Sequence, residues 1–410
     1  MVGGDEASEG SSAGAKREFV VGTNAHSARR DGMRMESPLR DGIVADWDAV
    51  EALIDHSYKN CLTCNPAEHP LLMAEPSFNT EAAREKMTEL AFEKFSTPAF
   101  FLGKNAVLSA FASGRGTALV LDVGGGMSSA TAVHDGYVLN KPLKRSSLAG
   151  DKLNELLLKA LELRDPAPAV RPIYTLKRTP VGPDQYKLEP QDYPGTHPSY
   201  HRYMQLQTMK DIKENLCRCS LLAPSAGVPL DVSAWDYEMP DRSAIDFWWE
   251  RLNLPELLLT PALLRSHPPT CLRQPPSAAA ADAPAATPET PTELAEMVPQ
   301  DILGLPEMVS ECIRACDTDT RRDLWGNIIV TGGTSLLPGL TERLQFRLNE
   351  LVPQMSFKVK MIATTVPSER RFSTWIGGSI LASLGSFQQL WMSKQEYEEQ
   401  GASGIHRKCP

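Results

Sequence analysis

An aspartate at the end of an apolar run, followed closely by three glycines, is the most chemically suggestive arrangement in this chain: Ala118-Leu-Val-Leu-Asp122-Val-Gly124-Gly125-Gly126-Met-Ser-Ser-Ala-Thr-Ala-Val. The pattern predicts a strand that runs into Asp122, turns through glycine and returns as a second strand. Glycines admit positive φ and let backbone N–H groups come close to an anion. An aspartate at such a strand end can hold a metal ion through water, beside phosphates. Taken alone, the segment reads equally well as a plain glycine-rich hairpin.

Two further segments carry chemistry-bearing residues. Asn327-Ile-Ile-Val-Thr-Gly332-Gly333-Thr-Ser-Leu-Leu-Pro338-Gly339 is an apolar strand meeting a double glycine and a helix start. Such a junction sets free helix N–H groups beside a ligand, although it also serves purely structural roles. Asp211-Ile-Lys213-Glu214 is a charged helical turn whose plainest reading is a solvated face. Cys61-Leu-Thr-Cys64, with His56 and His69 nearby, has the spacing of half a zinc knuckle. No second half stands at knuckle distance, so free thiols in a reducing compartment are the better account.

The elements that must position these residues alternate in type. His69-Pro-Leu-Leu-Met-Ala predicts a buried strand. Asn79 is a cap for a helix reaching Phe95, with Ala83, Met87, Leu90 and Ala91 on one face. Strand and helix continue in turn to the Asp122 strand, which argues for an α/β layer architecture. Residues 1–18 are rich in Gly, Ser, Ala and Glu and are expected to be disordered. Residues 165–199, dense in proline, read as an irregular surface excursion, and the Ala/Pro-rich residues 266–292 as a disordered insert. Helices are expected over 203–222 and within 294–316. Near the C-terminus an apolar stretch is broken by Gly377-Gly378, with a short helix from Ser379 to Leu384. A second helical run around Phe387, Leu390 and Trp391 leads to a charged amphipathic tail.

The chain has 410 residues, enough for a two-lobed body with a substantial core. With 51 acidic and 42 basic residues its formal charge is −9, unlike a protein built to coat nucleic acid. It contains no run of 18 or more apolar residues. The start lacks a signal-peptide core, so a soluble intracellular protein without membrane contact is expected.

The order of residue types over residues 368–410 resembles the C-terminal subdomain of the actin family. The three glycine- and lysine-bearing segments, in their order and spacing, resemble that family's second phosphate loop, adenosine strand and ribose-contacting helix. The resemblance covers residues 19–410 apart from the two proline-rich excursions. It implies an actin-like, ribonuclease H-like duplicated, two-lobed α/β fold. Residues 19–150 would form the first lobe and the start of the second, and residues 151–410 the remainder with a return to the C-terminal subdomain. By the same resemblance Asp122, Gly124, Gly125 and Gly126 meet the phosphates of ATP and a water-bridged Mg. Lys213 and Glu214 face the nucleoside, with Gly332, Gly333 and Arg371 around the base.

Departures from the family pattern bear on activity. The resemblance places Val20-Val21-Gly22 late in the first lobe, so the first phosphate hairpin is missing and the first lobe is truncated at its N-terminus. That loss removes half of a phosphate clamp and exposes a sheet edge. Asn105 and Ser129 stand where the family has a glutamine and a histidine of the attacking-water network, and Leu337 where actin stacks a tyrosine on the base. No catalytic residue is assigned, and hydrolysis is not expected.

Residues 37–59, the Arg371-Phe-Ser-Thr-Trp stretch and Arg407-Lys-Cys-Pro410 look closest to nuclear actin-related proteins. That resemblance implies a nuclear subunit of chromatin-remodelling and histone-acetyltransferase complexes, touching chromatin indirectly. It would dock beside monomeric actin on a helicase-SANT-associated type of helix from the motor or scaffold subunit. The implied groove for that helix is lined by Phe111, Tyr137, Leu381, Leu384, Ser386 and Leu390. A cytoskeletal actin-related protein that joins filaments and a residual ATP-binding ATPase are the competing readings.

Overall fold

The computed structural model describes residues 2–5, 17–182, 185–221, 233–266, 272, 293–352 and 358–410. Two sheets organise the chain. The larger has six strands, in the order Tyr137–Val138, Ser128–His134, Ala118–Val123, Ile328–Thr331, Met361–Ile362, with Lys144–Ser146 also pairing with Ser128–His134. Ala118–Val123 and Ser128–His134 are the antiparallel arms of one hairpin, Asp122 opposite Ser129. Ile328–Thr331 lies parallel to both Ala118–Val123 and Met361–Ile362. The central strands read as unbroken apolar runs because both faces are covered. Helices Gly150–Glu162, Leu305–Arg314 and Leu340–Leu351 supply the main core on one face through Leu153, Leu156, Leu157, Met308, Val309, Leu344 and Leu348. Ala106 and Ala110 of helix Asn105–Ala112 pack on the other, over Val120, Val133 and Ile329.

The smaller sheet has three strands, Met392–Ser393, Ala99–Lys104 and Leu71–Glu75. Leu71–Glu75 runs parallel to Ala99–Lys104, and Met392–Ser393 closes the other side antiparallel. The tail that follows packs back on this sheet. Helix Lys394–Gln400 starts in a capping box between Ser393 and Glu396. Ile405 and Cys409 then bury themselves with Val50, Phe92, Phe100 and Leu102. The tail is thus amphipathic as its sequence implies, its apolar residues buried at long range and its charges outside.

The C-terminal helix differs from expectation. It runs unbroken through both glycines as Ser373–Ala382. A Cβ on Gly377 would strike the Leu108 carbonyl of helix Asn105–Ala112, so glycine here serves close helix approach rather than termination. The expected helix around Phe387 is a short 3-10 turn, Gly385–Gln389.

Other expectations are corrected by tertiary contacts. Within residues 1–18, Val2–Asp5 is a strand, pairing antiparallel with Glu18–Val20 and with Met33–Glu36, while 6–16 lie outside the described residues. Val20, Met33 and Met35 bury against Tyr200 of helix Pro198–Leu216, a partner far away in sequence. The helix Glu81–Glu89 is capped by Thr80, whose hydroxyl accepts from the Ala83 amide at 3.2 Å, one position after Asn79. It continues to Lys94 as a wider π-helical turn. The 165–199 excursion contains a ribbon, Leu176–Gly182 with Gln185–Pro190. A two-stranded ribbon has two free outer edges, which tolerate the proline at 180. Of the 266–292 insert, residues 267–271 and 273–292 lie outside the described residues, but Leu272 is fully buried in the main core.

Candidate functional site: a cleft at the end of the larger sheet

The ends of Ala118–Val123 and Ile328–Thr331 open into one cleft of about 520 Å³. Asp122, Gly124, Gly125, Lys213, Glu214, Gly332, Gly333 and Arg371 all line it, whereas Gly126 does not. The parallel register that sets Thr331 beside Asp122 brings the two glycine turns together. Gly332 has φ +91, and a Cβ there would contact the Val123 carbonyl and Oδ1 of Asp122. Only glycine lets the second turn lie this close to the aspartate.

Hydrogen bonds weld the first turn to the next helix. The Gly150 amide donates to the Gly124 carbonyl at 3.1 Å, and the Asp151 amide to the Gly125 carbonyl at 2.8 Å. Thr334 Oγ1 donates to the same Gly124 carbonyl at 2.8 Å. Lys213 Nζ is buried and donates to the Gly150 carbonyl at 2.7 Å. Burial pulls the Lys213 ammonium below its usual range, and the nearby Asp151 carboxylate acts against that shift.

Asp122 sits half-buried on the cleft floor, and desolvation pushes its carboxyl up to about 6. Its one side-chain donor among the described residues is Asn105 Nδ2, at 3.4 Å. Asn105 is itself held, its Oδ1 accepting from Ser77 Oγ at 3.1 Å and from the Ala106 amide at 2.8 Å. Ser129 faces Asp122 across the hairpin and is buried. Asn105 therefore acts as a cross-link between the sheets.

Three carboxylates, Asp122, Asp151 and Glu214, share the cleft with three cations, Lys210, Lys213 and Arg371. Leu336, Leu337 and Pro338 give it an apolar patch. The volume and mix of groups suit a nucleoside-sized ligand. A phosphate would meet the glycine backbone and the three cations, and a divalent cation would offset its repulsion from the carboxylates. Every described lining residue lies at or after Asp122, and the smaller sheet contributes no wall. No group of three or more His, Cys, Asp or Glu side chains among the described residues is arranged to hold a metal directly.

Sequence reasoning missed Asp151, Gly150 and Lys210. The available signal was Gly150-Asp151 immediately ahead of the apolar face of Leu153, Leu156, Leu157 and Leu161, a helix start aimed at the glycine turn.

The six groove residues divide. Leu381 is buried with Leu108 and Phe387, and Phe111 packs half-buried on that cluster. Tyr137, Leu384 and Leu390 are 61%, 41% and 47% exposed, and Ser386 is exposed too. Val138, next to Tyr137, packs on the helix that carries Phe111. Leu381 thus supports the groove from within the core and offers a partner little surface.

A glycine-hairpin strand and a strand–Gly–Gly turn, set side by side above a helix-borne lysine, define an actin-type cleft on an α/β fold. The actin family profile matches residues 2–410, and the chain belongs to that family. It is similar to the protein named actin-related protein 4 of Arabidopsis thaliana, 43% identical over 394 residues, which cover 96% of this chain and 84% of that one. The actin-related protein 4 of Oryza sativa subsp. indica is 42% identical, covering 96% and 83%. That of Schizosaccharomyces pombe is 35% identical, covering 92% and 86%. No described helix is long and apolar enough to cross a membrane.

Proposed function

We propose that this actin-related protein is a non-catalytic nuclear subunit of chromatin-remodelling and histone-acetyltransferase complexes. It docks beside monomeric actin on a helicase-SANT-associated type of helix from a motor or scaffold subunit and meets chromatin only through that assembly. The observation that carries the reading is the exposure of the apolar side chains Tyr137, Leu384 and Leu390, with Leu384 following directly on the Leu381 cluster that holds Phe111. Exposed apolar side chains of this kind suit an amphipathic helix laid into a groove. Similarity to proteins named actin-related protein 4 supports the same reading.

The cleft supports a binding role rather than turnover. Asp122 is desolvated, and Asn105 is already held by Ser77 and Asp122. ATP with water-bridged Mg would engage Asp122, Gly124, Gly125, Lys213, Glu214, Gly332, Gly333 and Arg371.

Leu384→Asp tests the docking surface. Truncating or charging a central apolar anchor typically costs more than about 2 kcal/mol, whereas rim changes cost little. Binding of a scaffold helix should fall at least about 30-fold, with circular dichroism unchanged, while a Glu398→Ala control binds normally. A folded Leu384→Asp protein that still captures the helix at full affinity would sink the groove assignment.

A further inference from the structure

At the cleft floor the early part of the chain meets the later part through Asn105 and Asp122. A second set of contacts, made by residues that do not line the cleft, joins residues 26–35 to residues 193–200. The Gly32 amide donates to the Gly195 carbonyl at 2.9 Å. The Met35 amide donates to Ser199 Oγ at 2.8 Å, and the Tyr200 hydroxyl to the His26 carbonyl at 3.0 Å. Arg29 Nη1 donates to Thr196 Oγ1 at 3.1 Å, and its guanidinium lies 4.5 Å from the centre of the Tyr193 ring. Beneath these bonds Val20, Met33 and Met35 close on Tyr200 as an apolar cluster of their own, with Tyr174, Tyr203 and Met204 half-buried around it. The two segments come so near that a Cβ on Gly195 would stand 3.3 Å from that of Asp31.

These contacts bear on the cleft through the helix that carries them. Ser199 and Tyr200 stand in the first turn of helix Pro198–Leu216, and Lys210, Lys213 and Glu214 near its other end line the cleft. At 1.5 Å per residue, about 15 Å of helix separates Tyr200 from Lys210. A continuous helix moves as one rod, so its anchored first turn fixes where its cleft-lining end lies. For that wall to swing away from the Asp122 floor, the bonds and the apolar cluster at the far end must part together. We propose that residues 193–200 are a strap, which fastens the cleft wall to strands Glu18–Val20 and Met33–Glu36 and sets how fast the cleft exchanges its occupant. The strap rests on the nucleotide reading of the cleft only for the choice of one probe. Closures of this kind commonly limit ligand release.

The first probe is a fluorescent ATP analogue with Mg, chased from the full chain by excess ATP. Arg29→Ala combined with Ser199→Ala should release it at least about 10-fold faster, the scale of two lost hydrogen bonds. Arg202→Ala breaks an ion pair of the same helix with Glu162, away from the strap, and should leave release unchanged. Asp31→Cys combined with Gly195→Cys places two thiols near disulfide distance. Oxidised with glutathione disulfide, that chain should release the analogue at least about 10-fold more slowly, and a thiol reductant should restore the rate. The second probe needs no nucleotide. Hydroxyl-radical oxidation of Leu336 and Leu337, which line the cleft, should rise at least about 2-fold in the Arg29→Ala, Ser199→Ala chain, and that of Leu336 should fall in the cross-linked one. If the native chain binds no analogue, the ATP reading fails and oxidation alone decides the strap. If the loosened variant does not fold, the cross-linked chain and its reduced form decide it. Release that ignores the cross-link, or leucine oxidation that does not follow the state of the strap, overturns the proposal.

Discussion

The two sheets are built from the same kind of unit, a parallel strand pair with helices against its faces. Among the described residues, however, the central parallel strand of the larger sheet is flanked on both sides by parallel strands, and Leu71–Glu75 on one. In the larger sheet the Asp122 hairpin flanks Ile328–Thr331, and Leu119, Leu121, Ile328 and Val330 are all buried. In the smaller, Leu71–Glu75 ends the sheet, and Leu71, Leu72 and Met73 remain half-buried. A hairpin therefore does two jobs in this architecture. It completes the sheet, and its turn supplies one wall of the cleft. In the larger sheet a glycine turn and an aspartate reach the cleft, and among the described residues the smaller sheet supplies none of its lining.

The largest effect expected from this difference is in the body of the larger sheet. Arg343 and Glu256 form an ion pair there whose side chains are 3% and 1% exposed, with Nη2 2.8 Å from Oε1. Arg343→Ala leaves Glu256 buried without its cation and should cost about 3–5 kcal/mol. Urea unfolding followed by hydrogen exchange should show the loss in strands Ala118–Val123 and Ile328–Thr331. A loss below about 1 kcal/mol, or one confined to Ala99–Lys104, would mean that the larger sheet is not the more tightly organised body.

What could be read from the amino-acid order follows the range of the forces involved. The Asp122 hairpin and the strand before Gly332 were legible because alternation, apolar runs and glycine turns are local. That Lys213 shares their cleft was legible only from the order and spacing of three motifs, because the spatial contact is made by the fold. Gly377 misled because glycine weakens an isolated helix, while here the Leu108 carbonyl leaves no room for a side chain. Cys409 and Ile405 looked like tail residues since their partners, Phe100 and Leu102, lie in a strand far back in the chain. Asp151 was passed over for the same reason, its role being set by a bond to the Gly125 carbonyl.

An intermediate effect should appear at Asp122, where the larger sheet meets the cleft. Its carboxyl is raised from 3.8 to about 6 by desolvation. Folding therefore favours the protonated form: that contribution is complete below about pH 4 and is lost as pH rises through 6. Asp122→Asn keeps the shape without the charge. It should be more stable than the native chain at pH 7.5 by on the order of 1–2 kcal/mol, a figure reduced for the carboxylate's opening to the cleft. Thermal unfolding at both pH values checks this: the advantage should vanish near pH 4. An equal gap at both would remove titration as its cause.

The smallest effect belongs to the smaller sheet. Ser393 ends the strand that pairs with Ala99–Lys104 and caps helix Lys394–Gln400, its hydroxyl accepting from the Glu396 amide at 3.2 Å. Glu396 returns the contact, its Oε2 accepting from the Ser393 amide at 2.8 Å, and also holds Lys408 at 2.8 Å. Ser393→Ala removes one arm of the box and should cost about 1 kcal/mol. Because Met392, Ile405 and Cys409 bury in the same cluster as Phe100 and Leu102, loosening this cap should raise exchange in Ala99–Lys104 while leaving Ala118–Val123 unchanged. Equal acceleration in both strands would show that the two sheets unfold as one unit, and that the smaller sheet carries no separate weakness.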